Sequence, residues 1–314
     1  MMKEIWVTEG VLEKLPEIDS VVLDIDGVIV WVGESFRQAI SQGVQFYLTK
    51  IRGWSGQKLA IELPETEFFK QAGGFNNDWD LALAVVMLYL HKNSQFQVTD
   101  LDQLTKLGWS IEEYTYHLAQ EGGGLASVEK VLGTKISAEL EETIATICKE
   151  FYGGEEFYEE LYGGKLKYVP GSKSLIHQEE ILLDKDKLLA LNKKLAIVTG
   201  RNWREAKLVL EKVGLLEHLP RQLILTDDDG LRKPDPRTLD TIAERLGTKV
   251  GIYIGDTLDD LRTTKGTVVP FLAASVLTGA GGPEGAKLFR EEGAHLIAPE
   301  INSLLDFLRE RGNK

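Results

Sequence analysis

The pattern of apolar and polar positions changes character twice along the chain. Val21-Val22-Leu23-Asp24-Ile25-Asp26-Gly27 is an apolar run that ends on two carboxylates and a glycine. It predicts a buried strand. From 35 to 51 the period lengthens: Phe36, Ala39, Ile40, Val44, Tyr47, Leu48 and Ile51 recur at three and four, which predicts a helix. Further helices are predicted at 65–71, 78–91, 101–120 and 137–151, with glycine-rich breaks between them. After about residue 185 short apolar runs return at 195–200, 223–226, 250–255 and 271–277. Helical stretches at 203–213, 236–246 and 258–264 alternate with them. An extra strand is expected near 5–8 in the lead-in. Strand–helix alternation of this kind predicts an α/β fold with a doubly wound parallel sheet. The run at 21–26 has the same character but lies far upstream. The expected organisation is therefore a sheet domain at 1–30 and 187–314, interrupted by a mostly α-helical insertion at 31–186.

The carboxylates at the end of the first run raise a chemical question. On an extended backbone Asp24 and Asp26 point to one side, and two such charges repel unless a cation lies between them. Gly27 allows a sharp turn just past the strand. A divalent-metal site at the carboxyl end of a buried strand fits, since open α/β sheets bind ligands there. A plain acidic turn fits equally well on this stretch alone. An EF-hand loop does not, because the later acidic positions are missing.

Length and composition narrow the class. With 314 residues, two domains are expected. The formal net charge of −13 argues against nucleic acid as a partner but leaves room for a small phosphorylated substrate. The one cysteine, Cys148, permits no internal disulfide and suits a reducing cytoplasm. Five scattered histidines offer no zinc spacing. The longest apolar run, 81–90, reads as core and is too short to cross a bilayer, so no membrane role is expected. Glu4 and Glu9 with no long apolar run near them predict no signal peptide. Nothing in the pattern fixes an oligomeric state.

The other strand ends carry chemistry of the same kind. The second ends in Thr199-Gly200-Arg201, Lys233-Pro234-Asp235-Pro236 follows the third, and Gly255-Asp256 with Asp260 follows the fourth. Parallel strands put all these ends on one edge. Taken singly, Thr199-Gly200 reads as a strand-to-turn junction, Lys233 as a loop residue, and Asp256, Asp259 and Asp260 as helix-start acids. Asp227-Asp228-Asp229 reads as a solvated turn.

Together and in this order, the motifs at Asp24, Thr199, Lys233 and Asp256 resemble the four motifs of the haloacid dehalogenase superfamily. The resemblance implies a Rossmann-like core with a cap inserted after the first motif. It also implies Mg²⁺-dependent phosphoryl transfer through an aspartyl-phosphate. Asp24 would be the nucleophile and Asp26 the general acid then base. Thr199, Gly200 and Arg201 would hold the phosphoryl oxygens, and Lys233 would offset their charge. The implied metal residues are Asp24, Asp256, Asp26 through its carbonyl, and Asp260, which would orient a metal-bound water or Lys233. Within the insertion, stretches around Ser35, 73–79 and 122–125 are similar to one branch of phosphatase-like members. Arg37, Asn76, Asn77 and Trp79 are the candidates there for substrate contact, with helix capping the competing role for the two asparagines. The leading expectation is a phosphatase for a small phosphorylated metabolite. A phosphomutase on the same core, or a non-catalytic regulatory protein, are the alternatives.

Overall fold

The computed structural model describes residues 4–33, 35–279 and 285–312. The chain divides into two compact units, Met1–Val32 with Glu180–Lys314, and Gly33–Glu179.

The first unit is built on a seven-stranded sheet. Its strands in chain order are β1 (Trp6–Val7), β2 (Ser20–Leu23), β5 (Lys194–Val198), β6 (Ile224–Leu225), β7 (Gly251–Gly255), β8 (Phe271–Val276) and β9 (Leu296–Ala298). Two further strands, β3 (Val30–Trp31) and β4 (Glu180–Ile181), form a separate antiparallel pair. The spatial order is β1-β9-β8-β7-β2-β5-β6. Every pairing is parallel except that of β1 with β9. β2 lies between β5 and β7, with Leu23 opposite both Ile197 and Ile254.

Alternation along the strands assigns their residues to two cores. Val21, Leu23, Ile197, Ile252 and Ile254 pack with Val209, Leu210, Leu304 and Leu305. Val22, Ala196, Val198 and Tyr253 pack instead with Leu239 and Ile242. The central strands are thus covered on both faces, which explains why they read as continuous apolar runs.

The second unit is helical. Its longest apolar segment, in helix Asp78–Phe96, is buried continuously from Leu81 to Tyr89. A helix apolar on every side belongs at the centre of a bundle. Helices Phe36–Phe46, Gly124–Leu132 and Ala138–Tyr162 pack against it. The first and last of these approach so closely that a Cβ at Gly43 would fall 2.5 Å from Cys148 Sγ.

Several predicted elements differ in extent. The helix expected over 101–120 is two, Leu101–Leu104 and Ile111–Gln120. Gly108 at φ +61° and a capping box of Ser110 with Glu113 break it. The helix expected to stop at 151 continues to Tyr162 across a kink, where Gly154 is non-helical. The helix expected over 35–51 ends in a π-helical turn, Tyr47–Ile51. The return to the first unit comes at Glu180, earlier than the expected 187, because β4 pairs with β3 there. β9, the β3–β4 pair and helix Ile301–Gly312 are not among the elements expected from the sequence pattern. Among the described residues no helix is long and apolar enough to cross a membrane.

Candidate active site

Each motif sits where its strand ends. The ladder from β2 continues one residue further, as Asp24 N donates to Ile254 O at 2.9 Å. The chain then turns sharply. Val28, Ile29 and Val30 amides all donate to Ile25 O, and Gly27 takes φ +71°. At the end of β5, Thr199 N donates to Leu225 O, and Arg201 N donates to Thr199 Oγ1 at 3.2 Å. Gly200 between them is exposed. Asp256 follows β7, and Asp260 lies in the first turn of helix Leu258–Thr263.

At the centre is the ammonium of Lys233. Its Nζ lies 2.7 Å from Asp24 Oδ2 and 2.7 Å from Asp260 Oδ1, and the lysine side chain is only 5% exposed. Ligand oxygens of Asp24, Asp256 and Asp260 all lie within 4.8 Å of one another, and all three residues are buried. Three buried carboxylates that bring one oxygen each within that distance offer the kind of oxygen donor set a divalent cation takes. The packing around Asp256 is equally specific. A Cβ at Gly27 would meet Asp256 Oδ2 at 2.4 Å, and one at Gly279 would meet it at 1.8 Å. Only glycines leave that carboxylate its place, and Thr278 Oγ1 pins the Gly27 carbonyl at 2.6 Å. The residues present therefore fit a divalent metal.

The carboxylates differ in their surroundings. Asp260 Oδ2 accepts from Asp256 N, Thr257 N and Thr257 Oγ1, while Oδ1 accepts from Lys233 and Tyr253. Burial pushes Asp260 up, but Lys233 and these donors outweigh it and hold the carboxyl below its usual range. Asp24 accepts from Ile25 N and Lys233 Nζ. With fewer donors, burial dominates and pushes it up to about 7, against the pull of Lys233. For Lys233, burial works against the charge, yet Asp24 and Asp260 keep the ammonium well above its ordinary value. Asp260 thus carries five donors, Lys233 among them. The contact with Lys233 is the one through which it would orient that lysine.

Asp26 is not in this cluster. Its side chain accepts from Arg201 Nε and Nη2, and Arg201 is 2% exposed. The acidic triplet is a turn at the surface, with Asp228 and Asp229 exposed, and its carboxylates have local partners. Asp227 pairs with Arg232, Asp228 accepts from Trp203 N at the start of a helix, and Asp229 holds Thr226 and Arg221. Asp259, also buried, pairs with Arg262. The four candidates of the insertion lie within the second unit. Asn77 Oδ1 caps helix Asp78–Phe96 by accepting from Trp79 N. Trp79 packs among Phe36 and Tyr152. Arg37 is paired with Glu67 at 2.7 Å, and Asn76 is half-buried. Tyr253, Thr278 and Gly279 went unnoticed in the sequence. The repeat of Thr-Gly at 199–200 and 278–279, each just past a strand, is the signal that points to the last two.

Comparison with known proteins adds a family. A model of haloacid dehalogenase-like hydrolases matches residues 18–266. An imidazoleglycerol-phosphate dehydratase from Phytophthora nicotianae is 23% identical over 305 residues, covering 93% of this chain and 52% of that protein. The chain thus spans about half the length of that relative. Among solved structures, phosphatase Tt82 from Thermococcus thioreducens is similar at 22% identity and a TM-score of 0.58, over 93% of this chain and 99% of that one. A provisionally assigned β-phosphoglucomutase from Bacteroides vulgatus is similar at 14% identity and a TM-score of 0.52, over 95% and 91%. At these identities the structural likenesses show the fold.

Proposed function

Since this chain belongs to the haloacid dehalogenase-like hydrolases, we propose that it is a Mg²⁺-dependent phosphatase for small phosphomonoesters. The carrying observation is the Lys233 ammonium, 2.7 Å from both Asp24 and Asp260, in a buried cluster where oxygens of Asp24, Asp256 and Asp260 lie within 4.8 Å of one another.

In this reading an Asp24 oxygen attacks phosphorus and the bond to the leaving alkoxide breaks. Asp26 gives that alkoxide a proton, leaving an aspartyl-phosphate on Asp24. Asp26 then takes a proton from water, whose oxygen attacks the phosphorus and releases phosphate and the Asp24 carboxylate. Thr199 and the amides that follow it hold the phosphoryl oxygens. Lys233, oriented by Asp260, offsets their charge. Asp24, Asp256 and the Asp26 carbonyl are the proposed metal ligands. The oxygen-rich donor set suits Mg²⁺, which would supply charge neutralisation and alignment of the phosphoryl group. The buried thiol of Cys148, the one cysteine, supports a reducing cytoplasmic setting.

The test is a panel of phosphomonoesters assayed for free phosphate with Mg²⁺. Imidazole-bearing phosphates belong in it, because the Phytophthora relative carries the name of a dehydratase for such an ester. Phosphate release that Asp24→Asn removes supports the reading. An isomer formed without free phosphate would make the enzyme a mutase instead. For the insertion, we propose selection among phosphomonoesters by the 73–79 stretch. Asn76→Ala would then lower kcat/KM for the preferred substrate while sparing an aryl phosphate.

A further inference from the structure

We propose that Tyr253 is a positioning residue for phosphoryl transfer, acting on Lys233 through Asp260. The proposal rests on the phosphatase reading above and assigns a role to a residue that reading does not use.

Tyr253 lies in the middle of β7 and is 1% exposed. Its ring packs in an apolar cluster with Val22, Val198, Leu239 and Ile242. Phenylalanine would fill that space without the penalty of burying a hydroxyl. The hydroxyl must therefore be compensated by its contacts. It lies 2.9 Å from Asp260 Oδ1 and 3.2 Å from Val198 O. One proton faces two acceptors. The carboxylate is nearer and charged, so the stronger bond runs to Asp260. Burial and the Asp260 charge both keep the phenol protonated, so it acts as a donor.

Tyr253 thus joins three motifs. Val198 is the last residue of β5, directly before Thr199. Asp260 Oδ1 has two donors, Tyr253 and Lys233, and Lys233 in turn reaches Asp24. The ammonium stands equally far from its two carboxylates because each attracts it. Without the phenol, Asp260 Oδ1 has Lys233 as its remaining donor and draws the ammonium more strongly. Lys233 then moves off Asp24 and off the place where phosphoryl charge develops. Small displacements of a charged group at a reacting centre reduce turnover more than binding.

A double-mutant cycle on the full chain tests this. Tyr253→Phe, Asp260→Asn and the double variant are assayed with an aryl phosphate at saturating Mg²⁺. The burst of aryl alcohol counts working sites. Tyr253→Phe is expected to lower kcat per working site about tenfold, with KM within about twofold, as loss of one charge-assisted hydrogen bond would. Asp260→Asn is expected to lower it further. The double variant should be no slower than Asp260→Asn, since Tyr253 acts through that residue. An unchanged kcat per site in Tyr253→Phe, effects that multiply in the double variant, or a Tyr253→Phe chain that does not fold would each overturn the proposal. If the unmodified chain releases no phosphate from any ester, the phosphatase reading falls and this proposal with it. An active parent with any of those three results sinks the Tyr253 role alone.

Discussion

Arg201 donates from both Nε and Nη2 to a single oxygen of Asp26, Oδ1, at 2.9 and 2.7 Å. The guanidinium is almost fully buried while the carboxylate is partly open, with side-chain exposures of 1% and 27%. The rigid partner is the arginine, so it sets where the carboxylate points. The guanidinium of the residue expected to contact phosphate thus binds the proposed acid. Arg201→Met keeps most of the stem and removes both donors. It should slow an alkyl phosphate by roughly a hundredfold and an aryl phosphate far less, because the aryl leaving group needs little protonation. Equal losses on both substrates would show that Arg201 does not act through Asp26.

Asp24→Asn keeps the shape of the nucleophile and removes its charge. Turnover should fall by more than about a thousandfold with an unchanged far-UV spectrum. Asp26→Asn should still give a burst with an aryl phosphate, since the first step then needs little acid. Substantial steady turnover by a clean Asp24→Asn preparation would remove Asp24 from the nucleophile's role.

The metal prediction rests on the glycines that flank Asp256. Chelation should stop the reaction and Mg²⁺ restore it. Ca²⁺ should inhibit, since its looser coordination lets it take both oxygens of Asp24. Gly279→Ala puts a Cβ 1.8 Å from where Asp256 Oδ2 now lies, so that carboxylate must move. The Mg²⁺ concentration for half-activation should rise about tenfold, and the Mg²⁺-induced rise in melting temperature should shrink with it. A Gly279→Ala protein with the parent's Mg²⁺ response would disprove the cradle's role.

In the insertion, burial pushes the Glu67 carboxyl up to about 7, against the pull of Arg37, from an ordinary 4.5. Between those values the folded chain holds a proton that the unfolded chain has lost. Stability from this group therefore falls as pH rises from about 4.5 to about 7 and stays lower above it. Glu67→Gln still offers Arg37 an acceptor but does not titrate. Its stability relative to the parent should climb across that window, read from urea midpoints at a series of pH values. Parallel curves for the two proteins would contradict the shift.

Asn77 caps the central helix of the insertion. Asn77→Ala should lower stability by about 1 kcal/mol and leave the rate on an aryl phosphate unchanged. A selective loss on the preferred substrate, with stability intact, would instead assign Asn77 to substrate contact.

What the sequence determined by itself was local. An apolar run buried on both faces has one home in an α/β fold, so β2, β5, β7 and β8 were legible from the run of apolar positions alone. Parallel strands share an edge, so the gathering of Asp24, Thr199, Lys233 and Asp256 followed from their places at strand ends. The continuous apolar run at 81–90 likewise announced the buried centre of the insertion. β1 and β6, two residues each, were expected near 5–8 and within 223–226, but the other short pieces were not legible. β9 and the β3–β4 pair are two or three residues long, and such segments form because a neighbour supplies hydrogen bonds. The partners of the charged groups were equally hidden. Asp26 meets Arg201 across 175 positions, and Lys233 meets Asp24 across 209. No spacing rule reaches that far. Tyr253 is the clearest case, because in the sequence it is one more large residue in an apolar strand. Its ring obeys the local pattern, while its hydroxyl takes its meaning from Asp260. Burial is a one-dimensional property that repeats with the backbone's period, so the chain displays it. Which polar atom satisfies which is fixed when distant segments meet, so only the tertiary structure decides it.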